Sequence, residues 1–424
     1  MYRKYPYRWL RRTLCLAIGS LLAAGNLWAQ SAPLTLKQAF EAAWSRQPEA
    51  QSLTARREAA EARRQIADSW TAEPPALELS AKTDQLDSNQ GSREYVVGIA
   101  LPLWLPGERS RTATLADAEA KATASRALAA QLRIAAAVRE AWWVWQRARI
   151  EQGLAQARWD SARQLATDVA RRVAAGDLAR ADQHQAASVA AGAELAKAEA
   201  DAALATATQQ LRALIGIVPG VPGSPGAETS VAGEPAPAVP ADFAALDAAH
   251  PAVVELLDRA EVARRGAELA EVQTRANPEL TLAATRDRGI SGDPYQQTVT
   301  VGIRFPFGSD SRNRAKAGLA RAEAIEAAGQ WQLERDRLIA DLEAARVRVE
   351  SARTQFAAAD KRAQLARESR GFFEKSFRLG ESDLPTRLRI ELEAADAERQ
   401  AARVRIDLAA AVSLLRQALG LLPE

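Results

Sequence analysis

The feature that most constrains this 424-residue sequence is an internal duplication, in which landmarks of the first half recur in the second. At an offset of 203 residues lie Pro48 and Pro251, Pro75 and Pro278, Leu77 and Leu280, and Leu79 and Leu282. At an offset of 204 lie Gly98 and Gly302, Ile99 and Ile303, Pro102 and Pro306, Gly176 and Gly380, and Gly216 and Gly420. The one-residue change falls between positions 80 and 97, where we expect a loop that tolerates insertion. The sequence therefore encodes one structural unit twice.

The first 29 residues have the features of a secretory signal peptide. Five basic residues precede an apolar run from Leu14 to Ala24, and Ala29 offers a cleavage site. The run is about half as long as a membrane-spanning helix, and no later run reaches that length. Without this leader the chain has 51 Lys and Arg against 53 Asp and Glu. The basic balance thus belongs to the leader, and we expect no nucleic-acid partner.

Each half contains two segments in which apolar residues alternate with others, the pattern of β-strands. We expect β-hairpins at 75–103 and 278–307. A half-buried hairpin of a soluble domain would show the same alternation, but the segment lengths and the aromatic residues near their ends favour membrane strands with an interfacial girdle. The predicted strand and girdle residues are Tyr95, Val97, Ile99, Leu101, Trp104, Tyr295, Val299, Val301, Ile303, Phe305 and Phe307.

Four strands cannot close a membrane barrel, whose usual minimum is about eight strands. An open sheet edge in lipid would leave backbone N–H and C=O groups unpaired. If these strands enter a membrane, several copies of the chain must therefore combine into one barrel.

Helices account for most of the remaining sequence. Two unbroken helical patterns, about 108–174 and 311–379, predict helices on the order of 100 Å long with coiled-coil seams. Shorter helices, which can stack end to end beside the long ones, are expected at about 34–69, 179–215, 242–275 and 384–419. The predicted units are a signal peptide (1–29), a first repeat (30–216), a Pro- and Gly-rich linker (217–240) and a second repeat (241–424).

Glycines end both long helices, and acidic residues follow them. Gly after a helix and Asp or Ser before the next are helix-capping residues, so each site marks the tip of a helical hairpin. In an oligomeric pore, each acidic residue facing the lumen would become a ring that favours cations. The candidates are Gly176, Asp177, Asp182, Gly380, Glu381 and Asp383, and the alternative is that the carboxylates cap helices or pair with nearby arginines.

The residues of ordinary catalytic and metal sites are scarce. The only cysteine is Cys15 in the leader, and the only histidines are His184 and His250, both expected to be solvated. No hydrolase, zinc-protease or phosphate-loop motif is present. We therefore expect no enzymatic activity, no cofactor and no bound metal.

The order of helix, hairpin, long helix, tip and returning helix, twice over, resembles the TolC-like outer-membrane efflux proteins. Two segments, Glu94–Arg109 and Val301–Asn313, are similar to the heavy-metal efflux branch of that family, the cobalt-zinc-cadmium resistance type. In that branch a glycine, a proline and then Gly-x-Arg or Arg-Asn close each hairpin and start the long helix. Here Gly308-Ser-Asp-Ser interrupts the usual approach to Arg-Asn.

The resemblance implies a mainly α fold with a small membrane β-barrel. Three chains would contribute four strands each to a 12-stranded outer-membrane barrel, continued by a periplasmic α-barrel of long coiled-coil helices. The trimer would be the exit duct of a tripartite RND-type efflux system for heavy-metal cations. Its partners would be outer-membrane lipid, a periplasmic adaptor (membrane fusion protein) and an inner-membrane RND pump, with the tip residues at the periplasmic gate and adaptor contact.

Three other functions stay open at this point. A TolC-like duct for drugs or for type I protein secretion would have the same fold. A periplasmic adaptor normally has one helical hairpin between flanking β-domains, whereas this sequence has two. A structural coiled coil of the envelope would leave the duplicated strands unexplained.

Overall fold

The computed structural model describes residues 34–218, 233–240, 249–308 and 310–424. The predicted signal peptide and most of the predicted linker lie outside this part of the chain. The described residues contain seven helices and four strands, in the order that the duplication predicts. None of these helices is both long and apolar enough to cross a membrane.

The first repeat contains helices α1 (Leu36–Ser45) and α2 (Pro48–Asp68), strands β1 (Ala76–Thr83) and β2 (Arg93–Pro102), the long helix α3 (Glu108–Ala175) and the returning helix α4 (Arg180–Ile215). The second repeat contains α5 (Pro251–Val272), β3 (Glu279–Arg288), β4 (Gln296–Arg304), the long helix α6 (Asp310–Arg378) and α7 (Leu384–Ala418). With 68 and 69 residues, α3 and α6 are each on the order of 100 Å long.

The prediction of one helix over 34–69 was wrong, because the chain forms two helices there. Pro48 is the first residue of α2, and Gln47 before it is extended, with φ −74° and ψ 139°. A proline disfavours helical geometry in the residue before it and lacks the N–H that would continue the helix. Thr35 starts α1 with a capping box, in which its side chain accepts a hydrogen bond from the N–H of Gln38.

The long helices pack side by side with the shorter ones. Helices α2 and α4 lie on one side of α3, α5 and α7 lie between α3 and α6, and α1 covers α3. The seam predicted on the second long helix is confirmed, since Leu342, Ala345, Val349 and Ala352 are buried against α7. Small residues at these positions allow the helix axes to approach closely.

The end-to-end stacking of short helices is visible at two glycines. Gly216 (φ +76°) ends α4 beside Arg46, just before α2. At the equivalent joint, Gly420 (φ +76°) follows α7 beside His250 and Pro251, where α5 begins. A Cβ at Gly420 would lie 2.6 Å from Pro251 Cδ, so both the backbone angle and the close contact require glycine.

The four strands form one antiparallel sheet in the order β1-β2-β3-β4. The register aligns Leu77, Ile99, Leu282 and Val301 in one row across all four strands. A second row on the same face contains Leu79, Val97, Ala284 and Val299. The two hairpins of the duplicated unit are therefore joined into one sheet through β2 and β3.

Candidate functional site

The two faces of the sheet differ in chemistry. The large side chains of the two apolar rows are all exposed, whereas the opposite face carries Ser80, Val96, Thr285 and Thr298 in one row. Next to this row lie Glu78, Gly98, Ala283 and Thr300. An exposed apolar face opposite a polar or small-residue face is the pattern of a strand between lipid and an aqueous lumen.

The predicted girdle residues do not all have the same surroundings. Tyr95, Phe305 and Phe307 are exposed, as an interfacial position requires. Tyr295 lies beneath two guanidinium groups, those of Arg286 and Arg288, at 4.6 and 5.1 Å from the ring centre. Trp104 instead donates a hydrogen bond from Nε1 to the Ser69 carbonyl at 3.2 Å, so it connects α2 to the end of β2.

A buried carboxylate, Glu108, fastens the sheet to the first long helix. Its Oε1 accepts a hydrogen bond from Gln273 at 2.8 Å, and its Oε2 accepts one from Asn277 at 2.7 Å. The backbone N–H of Leu105 donates to Oε2 at 3.0 Å. The start of α3 is thereby tied to the segment between α5 and β3, which joins the two repeats at the base of the sheet.

A second buried carboxylate fixes the segment that precedes the second repeat. Glu234 Oε1 lies 2.8 Å from Arg139 Nη2 of α3 and 3.2 Å from Arg416 Nε of α7. Arg139 Nε also donates to Glu234 Oε2 at 3.1 Å, and the Ser413 hydroxyl donates to that same oxygen. All four side chains are buried. One carboxylate thus holds two arginines from different helices in the interior.

Neither Glu108 nor Glu234 was among the predicted functional residues. Glu234 lies in the segment interpreted as a linker, where it is one of only two charged residues between 220 and 240. An isolated carboxylate among Pro, Gly and Ala was the available signal, but its partners are 95 and 182 residues away in sequence. The linker prediction missed that residues 233–240 pack against α3 and α7.

The tips have the same backbone geometry in both repeats. Gly176 (φ +88°) and Gly380 (φ +77°) end the long helices in the left-handed conformation. The N–H of Asp177 donates to the Arg172 carbonyl at 2.9 Å, and the N–H of Glu381 donates to the Ser376 carbonyl at 3.0 Å. These are the contacts of a Schellman motif, which uses the left-handed glycine to close the helix.

Of the four acidic candidates at the tips, two cap helices. Asp182 Oδ2 accepts a hydrogen bond from the Ala179 N–H at 3.1 Å, and Asp383 Oδ1 accepts one from the Thr386 N–H at 3.1 Å. Hydrogen bonds from Thr386, through its side chain and its backbone, lower the pKa of Asp383. Asp177 and Glu381 are exposed at the turns themselves.

The two tips pack against each other within one chain. Phe377 of α6 is buried among Leu165 and Val169 of α3 and Leu384 of α7. The guanidinium groups of Arg172 and Arg387 lie 5.1 and 4.8 Å from the centre of its ring. This apolar contact with two cation–π interactions holds the tips side by side.

The two histidines differ in burial. His184 is exposed on α4, as expected. The expectation that His250 is solvated was wrong, because this residue is buried at the joint between α7 and α5. Burial lowers the pKa of His250, which favours the neutral ring. In the described residues no group of three or more His, Cys, Asp or Glu side chains is arranged to hold a metal ion.

Comparisons with known proteins agree on the architecture. Residues 40–217 match the family model described as outer membrane efflux protein. The fold is similar to that of CusC (15% identity, 91% of this chain and 92% of that chain covered, TM-score 0.74). It is also similar to the Campylobacter jejuni CmeC outer membrane channel (14% identity, 91% of this chain and 85% of that chain covered, TM-score 0.71). A third similar structure is the open state of the Neisseria gonorrhoeae MtrE outer membrane channel (18% identity, 91% of this chain and 89% of that chain covered, TM-score 0.71).

No curated protein sequence matches the chain significantly. The solved structures cover nine-tenths of the chain at low identity, so they establish the fold, whereas the family model covers the first repeat. From α5 onward, the second repeat has the same elements in the same order as the first repeat from α2 onward. The chain therefore has the fold of the TolC-like outer membrane channels, and its first repeat matches the outer membrane efflux protein model.

Proposed function

We propose that this protein is the outer-membrane exit duct of a tripartite RND-type efflux system and works as a homotrimer. The observation that carries the proposal is a four-stranded sheet with one exposed apolar face, continued by two helices of 68 and 69 residues. Such a sheet fits lipid, and helices on the order of 100 Å long extend far beyond a bilayer, whose hydrocarbon core is about 30 Å thick.

Three copies would close the sheet. In the described residues β1 and β4 each pair on one side only, which leaves two free backbone edges in every chain. Free edges are not tolerated in the hydrocarbon region, and three copies supply a 12-stranded barrel without edges. The apolar rows would face outer-membrane lipid, and the rows with Ser80, Thr285 and Thr298 would face the lumen.

The helical tips would form the periplasmic end, where an adaptor and an inner-membrane pump connect. We assign the cation-selecting ring to Asp177 and Glu381, since both are exposed at the turns. Asp182 and Asp383 would act by holding the shape of the tips, since their carboxylates cap α4 and α7. Replacing Asp177 and Glu381 by Asn and Gln should reduce cation selectivity in planar bilayers, and unchanged selectivity would refute this assignment.

Heavy-metal cations are the cargo that we propose. The support is the similarity of Glu94–Arg109 and Val301–Asn313 to the heavy-metal efflux branch. A duct needs no tight site, and the described residues contain no cluster of metal-binding side chains. Deleting the gene should lower tolerance to metal salts but not to dyes and antibiotics, whereas the reverse result would favour a drug duct.

The duct itself can be tested without knowing the cargo. The full-length protein, expressed with its leader, should enter the outer-membrane fraction and migrate as an SDS-resistant trimer that dissociates on boiling. In planar bilayers it should give discrete conductance steps. A soluble periplasmic protein without channel activity would instead support an adaptor or a structural coiled coil.

A further inference from the structure

The duplication makes one chain a template for the contact between two chains. Within the chain, β2 pairs with β3 and α3 packs against α5, and these contacts join the first repeat to the second. If the trimer proposed above closes with six near-equivalent repeats, the second repeat must meet the first repeat of the next copy in the same way. We call the contact between the two repeats of one chain the inner seam, and the contact between two copies the outer seam. The inner seam then predicts the contacts of the outer seam residue by residue.

The strand register follows first. Ile99 pairs with Leu282, and Leu101 pairs with Leu280. The duplication maps Ile99 and Leu101 of β2 to Ile303 and Phe305 of β4, and it maps Leu282 and Leu280 of β3 to Leu79 and Leu77 of β1. Ile303 should therefore lie opposite Leu79 of the next copy, and Phe305 opposite its Leu77. Both pairs keep apolar residues on the same face of the sheet.

Where the strands meet the long helices, the two seams have different side chains. In the inner seam the carboxylate of Glu108 accepts hydrogen bonds from Gln273 and Asn277. The equivalent residues in the outer seam are Arg312 in place of Glu108 and Trp70 in place of Gln273. Arg312 is exposed, and Trp70 is 94% exposed, an unusual state for so large an apolar side chain. A guanidinium over an indole face is an attractive cation–π pair.

The helices differ in the same way further from the strands. In the inner seam Lys121 of α3 forms an ion pair with buried Asp258 of α5 at 2.9 Å. The duplication places Ile325 and Ala55 at these positions in the outer seam. Ile325 is exposed on α6 and Ala55 is exposed on α2. Both exposed residues would be covered when the two helices meet across chains.

We propose that copies of this chain join through β4 and β1 in the register that places Ile303 opposite Leu79, with Arg312 of one copy stacked on Trp70 of the next. The occupant of this surface is a second copy of the same chain. The proposal rests on the trimeric duct proposed above and adds to it the register and the residue contacts of the seam.

Cysteine cross-linking tests the register, because Cys15 in the predicted leader is the only native cysteine. The Cys15→Ser chain carrying Leu79→Cys and Ile303→Cys is purified from the outer membrane in detergent, oxidised and boiled in SDS. We expect most chains to migrate as covalent dimers and trimers, and a reductant should convert these to monomers. The matched control pairs Ile303→Cys with Ser80→Cys, whose side chain points to the opposite face, and should give little cross-linking.

Native mass spectrometry of the unoxidised variants measures whether the trimer forms, which distinguishes a wrong register from a wrong oligomeric state. If the protein is a trimer but the Leu79 and Ile303 cysteines do not cross-link, or the Ser80 control links equally well, the register is wrong and the duct proposal survives. A pairing shifted by two residues would appear as preferential linking of Ile303→Cys to Ala81→Cys. If no trimer exists in the absence of cross-linking, the proposed function fails as well.

A double-mutant cycle tests the stacked pair independently of the cysteines. Trp70→Ala and Arg312→Ala should each lower the temperature at which the SDS-resistant trimer dissociates by several degrees. The double variant should lose no more than the larger single loss, because the two changes remove one contact. Leu86→Ala in the fully exposed hairpin loop is the control and should leave the temperature unchanged. Additive losses, or none, would overturn the stacking.

Discussion

The two long helices have equivalent positions in the duplicated unit but different surroundings. In the half nearest the sheet, α3 buries Glu108, Ala116, Ser125, Ala129 and Ala130, because it lies between α2 and α5. In α6, the first buried residue along the helix is Leu342. Three exposed apolar side chains precede it, namely Leu319, Ile325 and Leu333.

This difference is what the proposed trimer predicts, with one seam formed within the chain and the other formed between copies. The seam between α3 and α5 is complete in one chain and uses polar contacts, including the ion pairs of Lys121 with Asp258 and of Arg133 with Glu255. The free side of α6 instead carries those three exposed apolar side chains. Apolar contacts gain from association without the geometric demands of buried ion pairs, which suits a surface that two separate chains must bring together.

The largest effect is expected where one buried carboxylate joins α3 to α7. Glu234→Ala leaves Arg139 and Arg416 buried without their shared partner and should reduce the free energy of unfolding by about 3–5 kcal/mol. Chemical unfolding followed by circular dichroism measures the loss. Glu424→Ala is the matched control, since that carboxylate pairs with Arg416 from an exposed position and should cost less than about 1 kcal/mol. Equal losses would contradict the buried network.

A smaller effect is expected at the base of the sheet. Glu108→Ala removes the acceptor of three hydrogen bonds and should destabilise the folded chain by about 1–3 kcal/mol. Hydrogen exchange should increase at the start of α3 and in the segment before β3. Arg312→Ala, at the equivalent position of α6, should leave that exchange unchanged. The comparison of the two helices fails if both substitutions loosen the same segments.

Substitutions on the free side of α6 should weaken the assembly of the trimer and leave the fold of the single chain unchanged. Ile325→Ala should weaken each contact between chains by roughly 1 kcal/mol, because less apolar area is buried on association. The readout is the detergent concentration at which the trimer separates, with Lys121→Ala as the inner-seam counterpart. If Ile325→Ala leaves that concentration unchanged, this side of α6 does not face a neighbour.

The smallest effect concerns alkaline pH. The hydrogen bond and charge of Asp258 raise the pKa of Lys121 above its ordinary value of 10.5. A raised pKa means that the ion pair stabilises the fold below about pH 10.5, and that this contribution is lost as pH rises through the higher native pKa. Lys121→Met should flatten that part of the stability profile. An unchanged profile would show that the pair contributes nothing measurable to the seam.

Local chemistry made much of this fold predictable. Apolar alternation identified the strands, unbroken helical patterns identified the long helices, and the offset showed that each occurs twice. Gly176 and Gly380 indicated the ends of the long helices, where both adopt the left-handed conformation. Pro48 indicates the break between α1 and α2. The prediction of one helix overlooked it. The seam on α6 was predictable because its residues recur at helical spacing, as Leu342 and Ala345 show.

The candidate site was predictable only in part. Asp182 and Asp383 were identified as tip residues, but their sequence positions did not decide between a lumen-facing carboxylate and a helix cap. The side-chain geometry of the folded tip gives the cap. The girdle prediction included Trp104, whose indole instead bonds to the Ser69 carbonyl across 35 residues of sequence.

The sequence by itself determined the repeated unit, its strands and its long helices, because periodicity and capping act over a few residues. Only the tertiary structure decided that Glu234 and His250 are buried, that Glu108 joins the two repeats, and that α3 is enclosed while one side of α6 is free. Burial and charge pairing depend on residues far apart in the chain, and no local pattern encodes which of them meet.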